Sequence, residues 1–417
     1  MIALDEAQRE VRSLLVALAP VRLDVDDALG CVAAAPVVAT EPVPRFANSS
    51  MDGFALRSED TRDAPVSLQI TGVVLAGAAP GAEVGPGSAM RIMTGAPMPA
   101  GADCVEIVEE AVVDASGTLV TVGRRIDRGA FVRAPGEDVS VGDQLIAEGD
   151  VVHPTRRGVL ATQGISTLMV HPRPCVGVLS TGDELFDGPG APPPGTIRDV
   201  NRHLLLALLA EAGVPSRDLG IVRDDYDDTH QAISRAVETC DVVISTGGVS
   251  VGDADFVKMA IAELAGTRAR AMKVAVRPGK PFSFGVVGPR AVPVFGLPGN
   301  PVSTRVSFEL FIRPALSVLA GSAVPPRLML DAVLDVPMPR QRDGRVHMVH
   351  VLAKTAADGR VHVVGAMREG SHLLQAVSAA NAIAEVPDGD GIVAGDTVRI
   401  IVLHPEELAD TSTRADA

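Results

Sequence analysis

The chain has 417 residues, with 37 Lys plus Arg against 52 Asp plus Glu, giving a formal charge of −15. At 47% apolar and 21% charged residues it can build real cores, so global disorder is excluded. The acid excess argues against non-specific binding to nucleic acid or an anionic membrane, where Lys and Arg carry the affinity.

Residues 4–19 place Leu4, Ala7, Val11, Leu14, Leu15 and Leu18 at helical spacing, with Asp5 and Glu6 in the first turn and Pro20 as the stop. A Pro-rich connector, 41–46, leads into Asn48-Ser-Ser-Met-Asp-Gly-Phe-Ala-Leu, a turn entering a strand. Short alternating segments follow, including Val66–Ile70 and Leu119–Val122, the latter after an Asp114–Gly117 turn. They predict a small β-rich domain. Residues 140–172 are expected to rejoin the N-terminal part.

At 174 the texture changes. Strands are predicted at Cys175–Ser180, Leu219–Val222, Asp241–Ser245 and Val292–Leu297. Helices are predicted at His203–Ala212, Asp228–Thr239 (capped by Asp228 or Thr229), Asp255–Leu264 and Ser303–Leu319. Alternating apolar strands and helices predict a parallel, helix-covered sheet. Beyond 326, Arg345–Leu352 and Arg360–Val364 alternate strictly around Asp358-Gly359, a hairpin of a small barrel or sandwich. The last dozen residues read as frayed.

The expected fold is multidomain α+β and α/β. An N-terminal linker and helix domain takes 1–47 and 139–172. A small β-rich domain is inserted at 48–138, a doubly wound α/β domain spans 173–326, and a β-barrel-like domain covers 327–408.

Ten Phe, one Tyr and no Trp leave little for stacking on bases. Cys31, Cys104, Cys175 and Cys240 are too far apart in sequence for a CxxC pair, which argues against a thiolate zinc or iron–sulfur site and fits reduced thiols in a cytoplasm. The first 18 residues lack a cationic segment followed by an apolar one, and no apolar run approaches 18 residues, so neither a signal peptide nor a membrane span is expected.

In a doubly wound sheet, ligands bind beyond the carboxyl ends of the strands. Four loops fall there: Ser180-Thr-Gly-Asp-Glu, Arg223-Asp-Asp, Ser245-Thr-Gly-Gly-Val-Ser-Val-Gly-Asp-Ala-Asp, and Gly296-Leu-Pro-Gly-Asn-Pro. The third sends a buried strand through Thr-Gly-Gly into a helix N-terminus. The glycines alone fit either an anion site or a tight turn. Glu184, Asp224, Asp253 and Asp255 all fall at or just after strand ends. Singly each reads as a helix cap, Asp253 foremost. As a group they suit a hard cation joining phosphate to protein, or donors on a heterocycle edge.

Lys273 and Arg277 share one face if 273–277 is a strand, with Lys280 just past a Pro-Gly turn. The three charges suit an oxyanion trap or, equally, a solvated edge strand. Pro298 and Pro301 stiffen the fourth loop. Thr94 and Asp138 stand in weak motifs of the β-rich region. His153, His171 and His230 read as surface or capping residues. His347, His350 and His362 read as sheet-face residues.

Seven strings together are similar to the molybdopterin molybdenumtransferase (MoeA) family, which includes the C-terminal domain of gephyrin. They are Asn48-Ser-Ser-Met-Asp-Gly-Phe-Ala, Arg91-Ile-Met-Thr-Gly-Ala-Pro, Arg133-Ala-Pro-Gly-Glu-Asp, Ser180-Thr-Gly-Asp-Glu-Leu, the 245–255 loop, Arg277-Pro-Gly-Lys-Pro and Gly296-Leu-Pro-Gly-Asn-Pro-Val-Ser. The resemblance implies molybdenum insertion from molybdate into adenylated molybdopterin, with Mg²⁺-dependent cleavage of the adenylate to AMP. The soft sulfur ligands come from the substrate, so no cysteine cluster is needed.

By motif the resemblance implies catalytic roles for Thr94, Asp138, Glu184, Asp224, Asp255 and Lys273. It implies binding roles for Thr181, Gly182, Gly247, Gly248, Ser250, Arg277, Lys280, Pro298, Gly299, Asn300 and Pro301, and more loosely Ser371. Glu184, Asp224 and Asp255 would hold the metal. Several relatives carry Lys where this chain has Arg277, which keeps the charge and adds a bidentate fork. The family also implies a homodimer with Thr94 and Asp138 acting in trans. Implied partners are a molybdopterin adenylyltransferase and molybdoenzyme apoproteins. An adenylyltransferase of the same sheet type and a gephyrin-like scaffold are the alternative readings.

Overall fold

The computed structural model describes residues 1–77, 81, 83–247, 255–322, 327–366, 370 and 373–409. The chain divides into two compact units, 23–168 and 1–22 with 169–417, a coarser division than the four domains expected.

Helix α1 (Leu4–Ser13) is shorter than its apolar spacing predicts. Its last N–H groups close tightly onto Val11 O and Arg12 O, and Leu18 N is taken by Leu319 O at 2.8 Å. The helix thus closes locally at Ser13, well before Pro20, and the segment beyond it pairs with Leu319. Ala7, Val11 and Leu15 from this segment pack into the core of the 169–417 part.

Unit 23–168 holds a six-stranded sheet of β1 (Gly53–Leu56), β2 (Val66–Val74), β3 (Ser88–Ile92), β4 (Cys104–Ile107), β5 (Val112–Val113) and β6 (Leu119–Val122), in the order β4-β1-β3-β2-β6-β5. Leu119 to Val122 pair antiparallel with Gln69 to Val66. The segments flanking this sheet in sequence meet each other. Val37–Val38 pairs with Gln144–Ile146, and Ala33 N donates to Asp150 O at 2.8 Å.

In the other unit, β7 (Val176–Thr181), α2 (Asn201–Glu211), β8 (Ser216–Val222), α3 (Tyr226–Thr239), β9 (Val242–Thr246) and α4 (Phe256–Ala265) alternate as predicted. β10 (Arg270–Lys273), β11 (Val276–Arg277), β12 (Pro281–Val287) and β13 (Val292–Leu297) follow. The sheet order is β8-β7-β9-β13-β12-β10. β8, β7, β9 and β13 are parallel, while β12 and β10 join antiparallel. The all-parallel expectation therefore holds for four strands of six. β7, β9 and β13 are buried along their whole length, which is why they read as continuous apolar runs.

Phe282, Phe284, Phe295 and Phe311 stack or tilt against one another in the core, each burial contributing about 1.5–3 kcal/mol. A long helix over 301–319 covers the sheet as α5 (Pro301–Ser307), a π-turn at Phe308–Ile312 and α6 (Arg313–Leu319). Helix α3 begins two residues before the predicted start. Its cap is Asp225, which accepts from Asp228 N at 3.1 Å, not Asp228 or Thr229.

The C-terminal part adds β14 (Met329–Leu334), β15 (Val346–Thr355), β16 (Val361–Ala366), β17 (Ala382–Val386) and β18 (Thr397–Val402). The order β11-β15-β16-β14-β18-β17, with β15 also paired to β17, closes a barrel. β11 pairs with β15, placing Arg277 opposite His347. The predicted single strand 273–277 does not form. Lys273 ends a strand of the α/β sheet, the chain breaks at Ala275, and Arg277 belongs to the barrel sheet.

Candidate functional site

The doubly wound order reverses between β7 and β9, so the crevice lies beyond Thr181 and Thr246. Gly247 follows β9 with φ +93°, and a Cβ there would collide with Thr181 O. Only glycine lets the two strand ends approach this closely. Thr181 Oγ1 and Ser245 Oγ are buried with no hydrogen-bond partner among the described residues. Gly182 N donates to Val222 O at 3.3 Å. Gly248, Ser250 and Asp253 lie outside the described residues, as does Ser371.

The fourth loop is tied to this crevice by a residue that sequence reasoning missed. Asn201, first in α2, donates from Nδ2 to Thr246 Oγ1 at 2.8 Å and to Gly299 O at 2.6 Å. Pro298 is buried, and its carbonyl accepts from Thr304 Oγ1 at 2.7 Å. Asn300 O accepts from Thr304 N at 2.9 Å, and Pro301 opens α5. Beneath Ser180 a charge network sets the loop. Ser180 Oγ donates to Asp199, which the buried Arg202 grips at 2.8 Å while also reaching Asp187 and Asp218. The Asp199-Val-Asn201 run at the start of α2 was the available sequence signal.

The acids gather at one end of the sheet. Asp183 Oδ1 accepts from Asp224 N at 3.2 Å. The Asp224 carboxyl is pushed up by desolvation and then by the charges of Asp183 and Glu184. Asp255 is nearly buried and caps α4, accepting from Lys258 N at 3.2 Å. Burial raises its carboxyl, opposed by that bond and Lys258 and assisted by Asp224. The cap is thus Asp255 itself. The expected metal set is not assembled: among the described residues no three His, Cys, Asp or Glu groups stand together as a metal ligand cluster. Asp255 is committed to its helix, and the Glu184 carboxylate folds back over Gly182, where a Cβ would sit 2.5 Å from Oε2.

The basic residues divide as the sheets do. Lys273, Arg277 and Lys280 are all exposed. Arg277 and Lys280 line a cavity of about 300 Å³ with Asn300, Ser303, His347 and His350. Neither cation makes an ion pair among the described residues, although the chain carries a large acid excess. His347 is held by Asp343, with Nε2 3.1 Å from Oδ2. His350 Nε2 is buried without a partner, and burial, then the nearby Arg305, brings its imidazole down to about 4. Both histidines do lie on a strand, as read from sequence. Their place at a cavity follows from β11 crossing to the barrel, which the sequence did not reveal.

In unit 23–168, Thr94 is exposed, and its N and Oγ1 both donate to Asp52 Oδ1, at 2.7 and 2.8 Å. Those two bonds, then Arg91, hold the Asp52 carboxyl below its ordinary range against a small desolvation effect. Asp52 was a further miss, though it sits in the Asn48–Ala55 string. Asp138 is exposed, its N donating to Val43 O at 2.9 Å.

Known proteins resemble this chain along almost its whole length. Residues 2–164 match the MoeA N-terminal region (domain I and II), residues 177–318 a probable molybdopterin binding domain, and residues 332–403 the MoeA C-terminal region (domain IV). The molybdopterin molybdenumtransferase of Bacillus subtilis is 34% identical over 415 residues, covering 97% of this chain and 95% of that one. Molybdopterin molybdenumtransferase 2 of Mycobacterium tuberculosis is 35% identical over 406 residues, covering 95% and 98%. The crystal structure of a molybdopterin biosynthesis MoeA protein from Pyrococcus horikoshii superposes with TM-score 0.80 at 28% identity, covering 97% and 99%. No helix among the described residues is long and apolar enough to cross a membrane.

Proposed function

The chain belongs to the MoeA family, and we propose that its oxyanion pocket is the cavity of Arg277 and Lys280, with the adenylate handled by the acids at the strand ends. It is an enzyme of molybdenum-cofactor biosynthesis, a molybdopterin molybdenumtransferase. The observation that carries the proposal is the pair of cations without carboxylate partners beside one cavity. Two exposed cations left unpaired among the described residues, at one cavity in so acidic a chain, present charge-assisted donors that an oxyanion would complete. Ser303 and Asn300 add neutral donors to the same cavity.

On this reading molybdate enters beside Arg277 and Lys280. The pterin lies along the crevice floored by Thr181, Gly247 and Gly299, where backbone approaches closely. Lys273 stands at the end of β10 to offset phosphate charge. Desolvation pushes both Asp224 and Asp255 toward protonation, with Asp183 and Glu184 adding to it at Asp224 and Asp224 adding to it at Asp255, and a cation would reverse this. Crowded, partly desolvated carboxyls fit Mg²⁺ held by one or two of these acids together with water and substrate phosphate, the ion's usual mode. Mg²⁺ when bound neutralises the phosphate whose bond to the pterin side is cleaved. Glu184 and Asp255 would hold that ion in place, and Asp224 would exchange the proton of the attacking water.

A homodimer belongs to the same proposal, with Thr94, Asp52 and Asp138 acting from the second subunit. The adenylyltransferase alternative loses ground because the resemblance to molybdenumtransferases runs through the N-terminal and C-terminal regions as well. The test is AMP release from adenylated molybdopterin with Mg²⁺, with and without molybdate. Molybdate-stimulated release with a molybdenum-loaded product supports the proposal. Absence of release from folded protein overturns it.

A further inference from the structure

His347 is nearly buried, lines the cavity of Arg277 and Lys280, and faces Arg277 across the β11–β15 pairing. Asp343 fixes its ring. The Asp343 carboxylate receives Arg345 Nε at 2.9 Å and Arg340 Nη2 at 2.9 Å as well as His347 Nε2. Burial works against its ionisation, but the bonds from His347 and Arg345 outweigh that and hold it far below the ordinary carboxylate range. An ionised carboxylate only accepts, so the proton of the pair sits on Nε2. The other ring nitrogen, Nδ1, makes no hydrogen bond among the described residues. A carboxylate-oriented imidazole with one nitrogen free, at the wall of a cationic cavity, is built for proton transfer rather than for packing.

We propose that His347, oriented by Asp343, carries the protons of the insertion step. This rests on the reading of the cavity as the oxyanion pocket. Insertion joins a tetrahedral oxometalate dianion to a dithiol: two S–H and one metal–oxygen bond break, and two metal–sulfur and two O–H bonds form. The departing oxide leaves as water with both thiol protons, the product keeps the dianion charge, and the metal is neither oxidised nor reduced. The step needs a group that takes a proton from sulfur and delivers it to oxygen. Nδ1 of His347 does both in turn. The charged groups around it are Asp343 and Arg345 on its own approach, Arg277 across the pairing, and Lys280 and His350 at the cavity. On the neighbouring strand the nearest charge, Glu385, pairs with Met348 rather than with His347.

The experiment compares wild type, H347A, H347Q and R277A in two measurements. One is molybdate affinity by calorimetry. The other is the rate of molybdenum-loaded product formation across the pH range, with and without added imidazole. H347A is expected to lose about 10²-fold or more in kcat, the usual span of general acid–base catalysis. Its molybdate Kd should stay within a few-fold of wild type, its pH profile should lose a limb, and imidazole should restore part of the rate. R277A should instead raise the Kd. H347Q carries the comparison if H347A does not fold. An unchanged kcat and pH profile overturns the proposal. A loss of molybdate affinity equal to that of R277A, with no rescue, also overturns it by making His347 a binding residue. If wild type itself neither binds molybdate nor responds to it, the pocket assignment fails instead.

Discussion

Asn201 joins two strand ends through one nitrogen: Nδ2 donates to Gly299 O at 2.6 Å and to Thr246 Oγ1 at 2.8 Å. Replacing it by Ala leaves both acceptors short of a donor. Thr246 is buried, and an unmet buried group costs about 1–3 kcal/mol. N201A is expected to lower the melting temperature and to raise KM for the pterin substrate more than it lowers kcat, because the fourth loop loses its anchor. Steady-state kinetics with a thermal melt checks this. An unchanged KM would show that the loop is positioned by Pro298 and Pro301 alone.

Asp255 carries two separable functions. As the cap of α4 it accepts from Lys258 N, and losing a cap costs about 1 kcal/mol. D255N keeps an acceptor and removes the charge, whereas D255A removes both. Both variants are expected to lose AMP release, with only D255A losing stability. E184Q should likewise abolish release in a folded protein. Normal turnover in D255N would remove Asp255 from the site.

Much of this organisation is legible in the residues because period and burial agree. Val176–Thr181 and Val242–Thr246 are buried on both faces and read as apolar runs, and the predicted Asp114–Gly117 turn leads Leu119–Val122 back against Val112–Val113. What was not legible depends on contacts distant in sequence. Helix α1 ends at Ser13, and the segment after it is held by Leu18 N donating to Leu319 O, 301 residues away in numbering. The segment 273–277 alternates like one strand, yet it changes sheets, because Lys273 finds Pro281 and Arg277 finds His347. The two histidines of β15 look like ordinary sheet residues until that crossover places them at the cavity. Asp225 rather than Asp228 caps α3 because four nearby acids offer equal local chemistry and the backbone geometry chooses.

Glu309 sits in the π-turn between α5 and α6, fully out of solvent. It accepts from Arg305, from Arg313 Nε at 2.7 Å and from Arg327 Nε at 3.3 Å. Burial opposes its charge, but the three guanidiniums hold its carboxyl below the ordinary range. Arg327 also donates to Leu403 O at 2.8 Å, tying the helix to the barrel. E309A strands several cations in the interior and should destabilise by about 3–5 kcal/mol. Denaturant melts measure this. A loss under about 1 kcal/mol would mean that water or another acid takes over the guanidiniums.

The proposed dimer predicts complementation. If Thr94 acts on the partner's crevice, T94A and D255N homodimers are each inactive. Mixed dimers then contain one site with both residues intact and should recover up to about half of wild-type activity at that site count. Mixing the unfolded chains and refolding them together tests this. No recovery in verified heterodimers would place Thr94 and Asp255 in service of the same subunit's site, or Thr94 outside it.

His350 predicts how stability follows pH. Its imidazole titrates near 4 in the fold, against about 6.5 when exposed, because burial and Arg305 disfavour the charged ring. The folded pKa is depressed, so the unfolded chain binds this proton first as pH falls. Stability from this group is therefore intact above about 6.5 and is lost progressively down to about 4. The full loss is on the order of 3 kcal/mol. Wild type should show a falling denaturation midpoint across that window, and H350Q, which does not titrate, should show a flatter one. Equal slopes in the two proteins would assign the acid sensitivity to other groups.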